Sequence, residues 1–475
     1  MAAEAVPVKS FEYDAVENRG RRRPPMSRVK SEDLHLTPNQ RRILSATTQD
    51  LARNFELAAW AIRKHLDYVA SFSFQPKTPD EGYNAELKKA MDALSKRERF
   101  DVSMRHSLRR GLRITEACNT KDGDSLWIKM AGGVDRGRIQ GIEAYRIDMP
   151  RGEATDDQAW VNGVYTGSAG AHLAYAICDY DNRGRKKLAR TVPSKNCIYW
   201  DFTDRWDQVR GVSPVAAALN RFRDIYEGFE YTQAKLKVSQ LFGLEFYREA
   251  DGSGSAFGPS TALRDDDGDG VADSGYEVNL ASGGPFVVDM DPGDRVGVIE
   301  SKTPATEVTN FLKLIIHIAL KSLDIPYSFF DESFTNFYGS RGGLIQYLKS
   351  VKARRADLSE CLDQWTKWRF GIAVADGELK LPRGKDFDFL QWQWIPDGVP
   401  WWDSVKEARG AAMSIAMGAS SPQQECQAIG SDFYQNVKET SEAIKYAETL
   451  GVDLKFADSS AFAPEVATQT ETADV

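Results

Sequence analysis

Apolar residues recur at helical steps through the region 300–370. Val308, Phe311, Leu312, Ile315, Ala319 and Leu323 fall on one face of a helix that Pro326 closes. Lys313, His317 and Lys321 are spaced four apart and stack on another face. A second helix carries Leu344, Leu348, Val351, Leu358, Leu362 and Trp365 at the same period. Between them lies a loop with Phe329, Phe330, Phe334, Phe337 and Tyr338, and with Gly339, Gly342 and Gly343 as hinge positions. That many aromatic rings are costly to leave in water, so the loop is expected to dock on a partner or a neighbouring subunit.

Upstream, Thr37 reads as an N-cap with Pro38 at the first helical position. The stretch 53–76 reads as an amphipathic helix ending near Phe72, and 85–113 as a second helical region. From 117 to 200 short apolar runs (125–130, 172–181, 196–202) alternate with turn clusters at Gly132-Gly133 and Asn182-Arg183-Gly184, which predicts strands and hairpins. A long helix follows Pro214, with Val215, Leu219, Phe222, Ile225, Tyr226, Phe229 and Leu236 as its stripe. The region 241–301 has strand-like ends around a Gly- and Asp-rich middle. A strand-rich, Trp-dense piece (379–395) precedes several helices (401–451), with Ser421-Pro422 as a break and start. Segments 1–31 and 457–475 lack apolar periodicity and read as disordered. The fold class is α+β, in two or three domains for 475 residues.

Hydrophobic residues make up 42% and charged residues 27%, which is a globular composition. The net charge of −8 argues against a generic basic nucleic-acid binder but leaves room for local basic faces. Two such faces stand out. One is Arg19–Pro25 (RGRRRPP). The other is the second helical region, with Lys88, Lys89, Lys96, Arg97, Arg99, Arg105, Arg109, Arg110 and Arg113. Each reads either as a contact for an anionic partner or as a solvated surface. Five cysteines with no CxxC pair point to a reducing compartment. No apolar run reaches the length of a membrane span and the N-terminus has no signal pattern, which predicts a soluble intracellular protein.

The chemistry-bearing motifs are few. There is no phosphate-cradling loop, nucleophile elbow or dinucleotide fingerprint, and the five histidines (His35, His65, His106, His172, His317) lack metal spacing. No enzyme is indicated. Asp265, Asp267, Asp269, Gly270 and Asp273 match positions 1, 3, 5, 6 and 9 of a calcium loop, while Tyr276 stands where a bidentate Glu belongs. Two readings stand: a Ca2+ site resembling thrombospondin type 3 loops, or an acidic insertion that keeps a loop solvated. No cofactor is otherwise required.

The order of the pieces resembles the portal proteins of tailed bacteriophages, of the lambda-like family. RNFELAAWAIRKHLDYVASFSFQP (53–76) is similar to an early family helix. Gln208-Val209-Arg210-Gly211 is similar to the family's Q-x-R-G sequence before a long helix. DMDPGDRVGVIES (289–301) resembles its L-x-P-G-E strand, with Asp294 where Glu is usual. The segment 324–346 resembles its G-V-P-Y…N-Y-S-S-x-R sequence through Asn336, Tyr338, Ser340 and Arg341. Trp401-Trp402-Asp403 with Lys406-Glu407-Ala408 resembles W-x-D-P-x-K-E-A without the proline. The likeness runs from about Thr37 to Gly451.

The resemblance implies a portal-type fold: a basic arm (1–36), a mixed α/β wing (37–211 and 342–396), two stem helices (212–240 and 306–326), a small α/β clip (241–305), a channel loop (327–341), a helical crown (397–456) and a tail (457–475). It implies a ring, typically of twelve subunits, at one capsid vertex of the virion, assembled in the host cytoplasm. The ring would pass double-stranded DNA without reading sequence during packaging, retention and ejection. It would meet terminase, then a head–tail adaptor, as well as major capsid and scaffolding proteins, and no membrane. In such a ring Lys313, His317 and Lys321 would line the channel, and Phe334, Asn336, Phe337, Tyr338 and Arg341 would belong to the channel loop. ATP hydrolysis would belong to the terminase. Two other classes remain open. A calcium-dependent structural or adhesion protein rests on Asp265–Asp273 but would predict repeats of that loop. A nucleic-acid-acting enzyme rests on the basic helix but would need metal ligands beside it.

Overall fold

A computed structural model describes residues 29–149, 160–182, 185–241, 244–248, 294–298, 306–331, 337–399 and 403–453. The elements in chain order are α1 (Glu32–His35), α2 (Pro38–Asn54), α3 (Glu56–Val69), β1 (Phe72–Pro76), α4 (Glu81–Leu94), α5 (Arg97–Phe100), α6 (Leu108–Asp122), β2 (Asp124–Lys129), β3 (Ile139–Glu143), β4 (Trp160–Val161), β5 (Val164–Thr166), β6 (His172–Tyr180), β7 (Lys186–Pro193), β8 (Cys197–Asp201), α7 (Leu219–Leu241), β9 (Leu244–Arg248), β10 (Asp294–Val298), α8 (Thr306–Leu320), α9 (Phe337–Ala375), β11 (Trp392–Pro396), α10 (Ser404–Ala416), α11 (Pro422–Ala428) and α12 (Phe433–Thr449). They form two compact units. The larger comprises Met1–Arg223 and Ile315–Val475, the smaller Asp224–Leu314.

Local chemistry sets several boundaries. The Thr37 side chain accepts from Gln40 N, the Gln40 side chain returns the bond, and Pro38 takes the first turn, so α2 starts where the sequence predicts. Ser421 and Gln424 repeat the device at α11. The helix expected within 53–76, with its end near Phe72, starts at Glu56. It ends at Val69, and Phe72–Pro76 is a strand paired antiparallel with β11, Phe74 opposite Trp394. The helical region predicted over 85–113 is three helices, and the last, α6, runs on to Asp122 where strands were expected to begin. The arm expected over 1–36 ends in the short helix α1, where Asp33 accepts from Val209 N.

In the larger unit, β3-β2-β8 and β4-β5-β6-β7 are separate antiparallel sheets. Leu126 and Ile128 of β2 join Ile142, Ile147, Val164, Tyr175 and Ile177 in one apolar core. Trp127, on the opposite face of β2, meets Phe100 (ring centroids 5.3 Å) and Trp200 (4.5 Å), and Phe100 meets Trp365 of α9 (5.6 Å). Covered on both faces, β2 loses the apolar–polar alternation of a half-exposed strand. Helix α9 has 39 residues, about 58 Å, and buries Leu344, Val351, Leu358, Leu362 and Trp365 as its period predicts. Helices α10 and α11 bury no residue and α12 buries only Ala447.

In the smaller unit, β9 and β10 pair antiparallel, Leu244 opposite Val298 and Arg248 opposite Asp294. A Cβ on Gly228 of α7 would stand 3.0 Å from the Leu312 Cδ2 of α8, so glycine lets the two helices close there. Outside that contact the helices stay open: Tyr231 is 73% exposed and Phe311 61%. The stripe predicted on α8 is thus half realised. Ile315, Ala319 and Leu323 are buried, while Val308 and Phe311 are exposed.

Candidate channel-lining site

Helix α8 buries Ile315, Ile316, Ala319 and Leu320, which turns Lys313 and His317 outward, and Lys321 in the following turn is exposed as well. Asp324, at φ 56°, ends that turn, and Ile325 N closes back on Leu320 O. The chain then enters the predicted aromatic loop. Tyr327 lies 5.5 Å from the His317 ring.

The loop docks on its own chain at its first half. Phe329 stacks on Tyr68 of α3 (5.6 Å, 27°) and meets Tyr347 of α9 edge-on (5.5 Å), while Phe330 meets Trp60 of α3 at 6.1 Å. These ring contacts, at 5.5–6.1 Å, give Phe329 and Phe330 neighbours within their own chain, while Phe330 stays 39% exposed. At its second half the loop is shorter than expected. Helix α9 begins at Phe337, so Phe337, Tyr338 and Arg341 stand on its first turns. Arg341 Nη2 pairs with Glu407 Oε1 of α10 at 3.1 Å. Gly343 admits Pro326 closely, since a Cβ there would lie 3.2 Å from the Pro326 Cβ. Phe334 and Asn336 lie outside the described residues, as do Asp265, Asp267, Asp269, Gly270 and Asp273. Among the described residues no group of three His, Cys, Asp or Glu is placed to hold a metal ion.

Two buried ion networks hold the elements that carry this site, and neither stands out in composition or periodicity. Arg210 grips Asp124 with two bonds, Nε to Oδ2 at 2.7 Å and Nη2 to Oδ1 at 2.8 Å, and also donates to the carbonyls of Ala144, Ile147 and Asn162. Arg41 of α2, the Tyr199 hydroxyl and Gly211 N complete the shell of Asp124. Burial alone would push the Asp124 carboxyl up; Arg210 and Arg41 outweigh it and hold it at about 2. Gly211 is required by the same packing, because a Cβ there would lie 2.1 Å from Gly123 O. The R-G pair of the Q-x-R-G sequence is therefore the clasp that delivers the chain to α7.

The second network centres on Glu116 of α6, fully buried. Arg354 of α9 binds both its oxygens (2.9 and 2.6 Å), His65 of α3 approaches at 3.2 Å, and Asn119 donates at 3.4 Å. Burial opposes the charge on Glu116, and Arg354 and His65 still hold its carboxyl below the usual range. The Arg354 guanidinium also lies 3.8 Å over the Phe202 ring. Three helices from distant parts of the chain are pinned through one carboxylate.

Comparison with known proteins bears on this architecture. No curated protein sequence matches the chain. A solved structure described as the neck of an empty GTA particle, computed with C6 symmetry, is similar over 81% of this chain and 93% of its own, at TM-score 0.50 and 14% identity. The virion of a native gene transfer agent (GTA) particle is similar over 83% and 99% (TM-score 0.48, 12% identity). A native GTA neck computed with C12 symmetry is similar over 81% and 93% (0.48, 13%). At these identities the first likeness speaks for a shared mixed α/β fold. Residues 19–355 match the family described as phage portal protein, lambda family, and with that match spanning most of its length the chain belongs to the lambda family of phage portal proteins.

Proposed function

We propose that this chain assembles into a ring at one capsid vertex and forms the channel through which double-stranded DNA is packaged, retained and ejected. Portal proteins of this family are structural, non-enzymatic components, and the chain is one of them. In this reading α7 and α8 are the stem, β9 and β10 belong to the clip, β1–β8 with α9 form the wing, and α10–α12 are the crown. The aromatic segment after Pro326 is the channel loop, and terminase and then a head–tail adaptor dock at the clip.

The observation that carries the reading is apolar surface left open on one copy. Tyr231, Phe311 and Leu314 are more than half exposed, as are Met413 and Tyr434 on α10 and α12 and Met417 and Leu450 at their C-terminal caps, and these helices bury almost nothing themselves. Helices of this length are marginal without tertiary packing. Neighbouring copies around a closed ring, each presenting one patch to a different patch on the next, would cover such surfaces. The Lys313, His317 and Lys321 row would then repeat around the axis and hold phosphates transiently, without reading bases. We infer that twelve copies of a chain with net charge −8 repel DNA overall and that this row damps the repulsion. Deleting Phe334 to Tyr338 tests the channel-loop role: the subunit is expected to fold and package poorly, and normal packaging would refute it.

A further inference from the structure

We propose that the outer face of α6, with the adjoining turn of α3, is a second contact for duplex DNA, separate from the lysine row of α8. The proposal rests on the portal reading for its biological setting, though not for its chemistry.

Helix α6 buries Leu108, Gly111, Leu112, Thr115 and Glu116, which leaves Arg109 and Arg110 exposed and Arg113 half-buried on the opposite side. Arg113 Nη2 binds Asp67 Oδ1 of α3 at 2.6 Å. Arg109 reaches Ser71 at 3.5 Å, so α3 and α6 run antiparallel with their outer faces side by side. Arg63, exposed, stands one turn before Asp67 on the same face of α3. Arg105 precedes α6 in a tight turn in which Met104 holds φ 55° and the Asp101 carboxylate accepts from Arg105 N.

The charges do not cancel. Arg63, Arg105 and Arg110 make no ion pair among the described residues, and Arg109 has only Asp397 at 3.9 Å, with its side chain 81% exposed. Asp67 and Asp397 are the carboxylates that pair with side chains of these five arginines, and the buried Asp101 carboxylate meets, of these arginines, only the backbone N of Arg105. From Arg63 to Ser71 the face extends about 12 Å, a length over which duplex DNA carries about seven phosphates. The guanidinium fork suits phosphate oxygens better than a lysine ammonium does. The large apolar side chains exposed here are Met104 and Ile114, too few for the core of a protein–protein interface. A polyanion without base-specific contacts is therefore the partner this face fits.

Topology separates this surface from the channel. A relaxed, covalently closed plasmid cannot thread a preassembled ring, whereas it can lie against the outside. Full-length rings should bind the closed circle with an affinity that falls steeply with salt. The triple variant Arg105→Ala, Arg109→Ala, Arg110→Ala should bind it at least tenfold more weakly at low salt. Its slope of log affinity against log salt should be smaller by about 3, for three lost phosphate contacts. Lys313→Ala with Lys321→Ala should leave circle binding unchanged. Every protein compared carries the same arginine-rich N-terminal segment, so the differences report the α6 face. Failure of wild-type rings to bind the circle, or equal binding and slope in the triple variant, would overturn the proposal. Loss of rings in the triple variant would also overturn it, by making the face a subunit contact. Absence of rings in the wild-type preparation would count against the portal reading alone, because wild type and triple variant can still be compared on the circle.

Discussion

Arg210 and Asp124 form a bidentate ion pair with essentially no exposure of either side chain, between the segment that leads into α7 and the first residue of β2. An isolated charge at such depth is heavily penalised, so the pair stands only because every polar atom of the guanidinium has an acceptor. Its carboxylate is held at about 2, below its ordinary 3.8. Asp124 therefore stabilises the fold fully above pH 4, by about 2 kcal/mol, and that contribution is lost as pH falls from 4 towards 2. Asp124→Asn should remove the acid-sensitive component and cost about 3–5 kcal/mol at pH 7 by leaving Arg210 buried and unpaired. Chemical unfolding followed by tryptophan fluorescence at pH 7 and pH 3 measures both. Equal stability of variant and wild type at pH 7 would show that the clasp contributes nothing.

Lys313 and Lys321 project from the solvent side of α8 and its following turn. Replacing both with alanine should leave subunit folding and ring formation intact and reduce the DNA packaged or retained per particle. Genome content measured in purified particles decides it, and unchanged content would remove these lysines from the channel.

Arg341 and Glu407 tie the first turns of α9 to α10 across 3.1 Å. Both are partly exposed, so the pair is worth about 0.5–1 kcal/mol. Arg341→Glu and Glu407→Arg should each destabilise the subunit, and the double swap should recover most of the loss. A double-mutant cycle on the melting of the subunit reads the coupling. Additive losses would mean that the two side chains act independently.

Much of this was written in local pattern. The Thr37 and Ser421 caps and the α9 stripe follow from neighbours within a few residues. What failed was non-local. Phe72–Pro76 reads only as chain beyond a helix end near Phe72, and the strand that pairs with it, Trp392–Pro396, lies more than three hundred residues later. The last turns of α6 were missed because their buried face is polar: Thr115, Glu116, Asn119, Thr120 and Asp122 satisfy one another and their neighbours, and leave no apolar period to read. Arg210 was visible only as part of a family motif. Nothing near it in sequence points to Asp124, 86 positions away. The exposure of Phe311 was equally illegible, because a helical stripe predicts burial without saying whether the same chain supplies the cover.

The acidic motif Asp265–Asp273 makes its own prediction. If it binds Ca2+, Asp267→Ala should lower the melting temperature in calcium and have no effect in chelator. Identical melting of wild type in both conditions would reject the site.

Ring formation is the claim on which the rest depends. Negative-stain electron microscopy of the purified full-length chain tests it directly. Rings with a central hole wide enough for duplex DNA are expected. Uniform monomers at high protein concentration, with and without calcium, would contradict it.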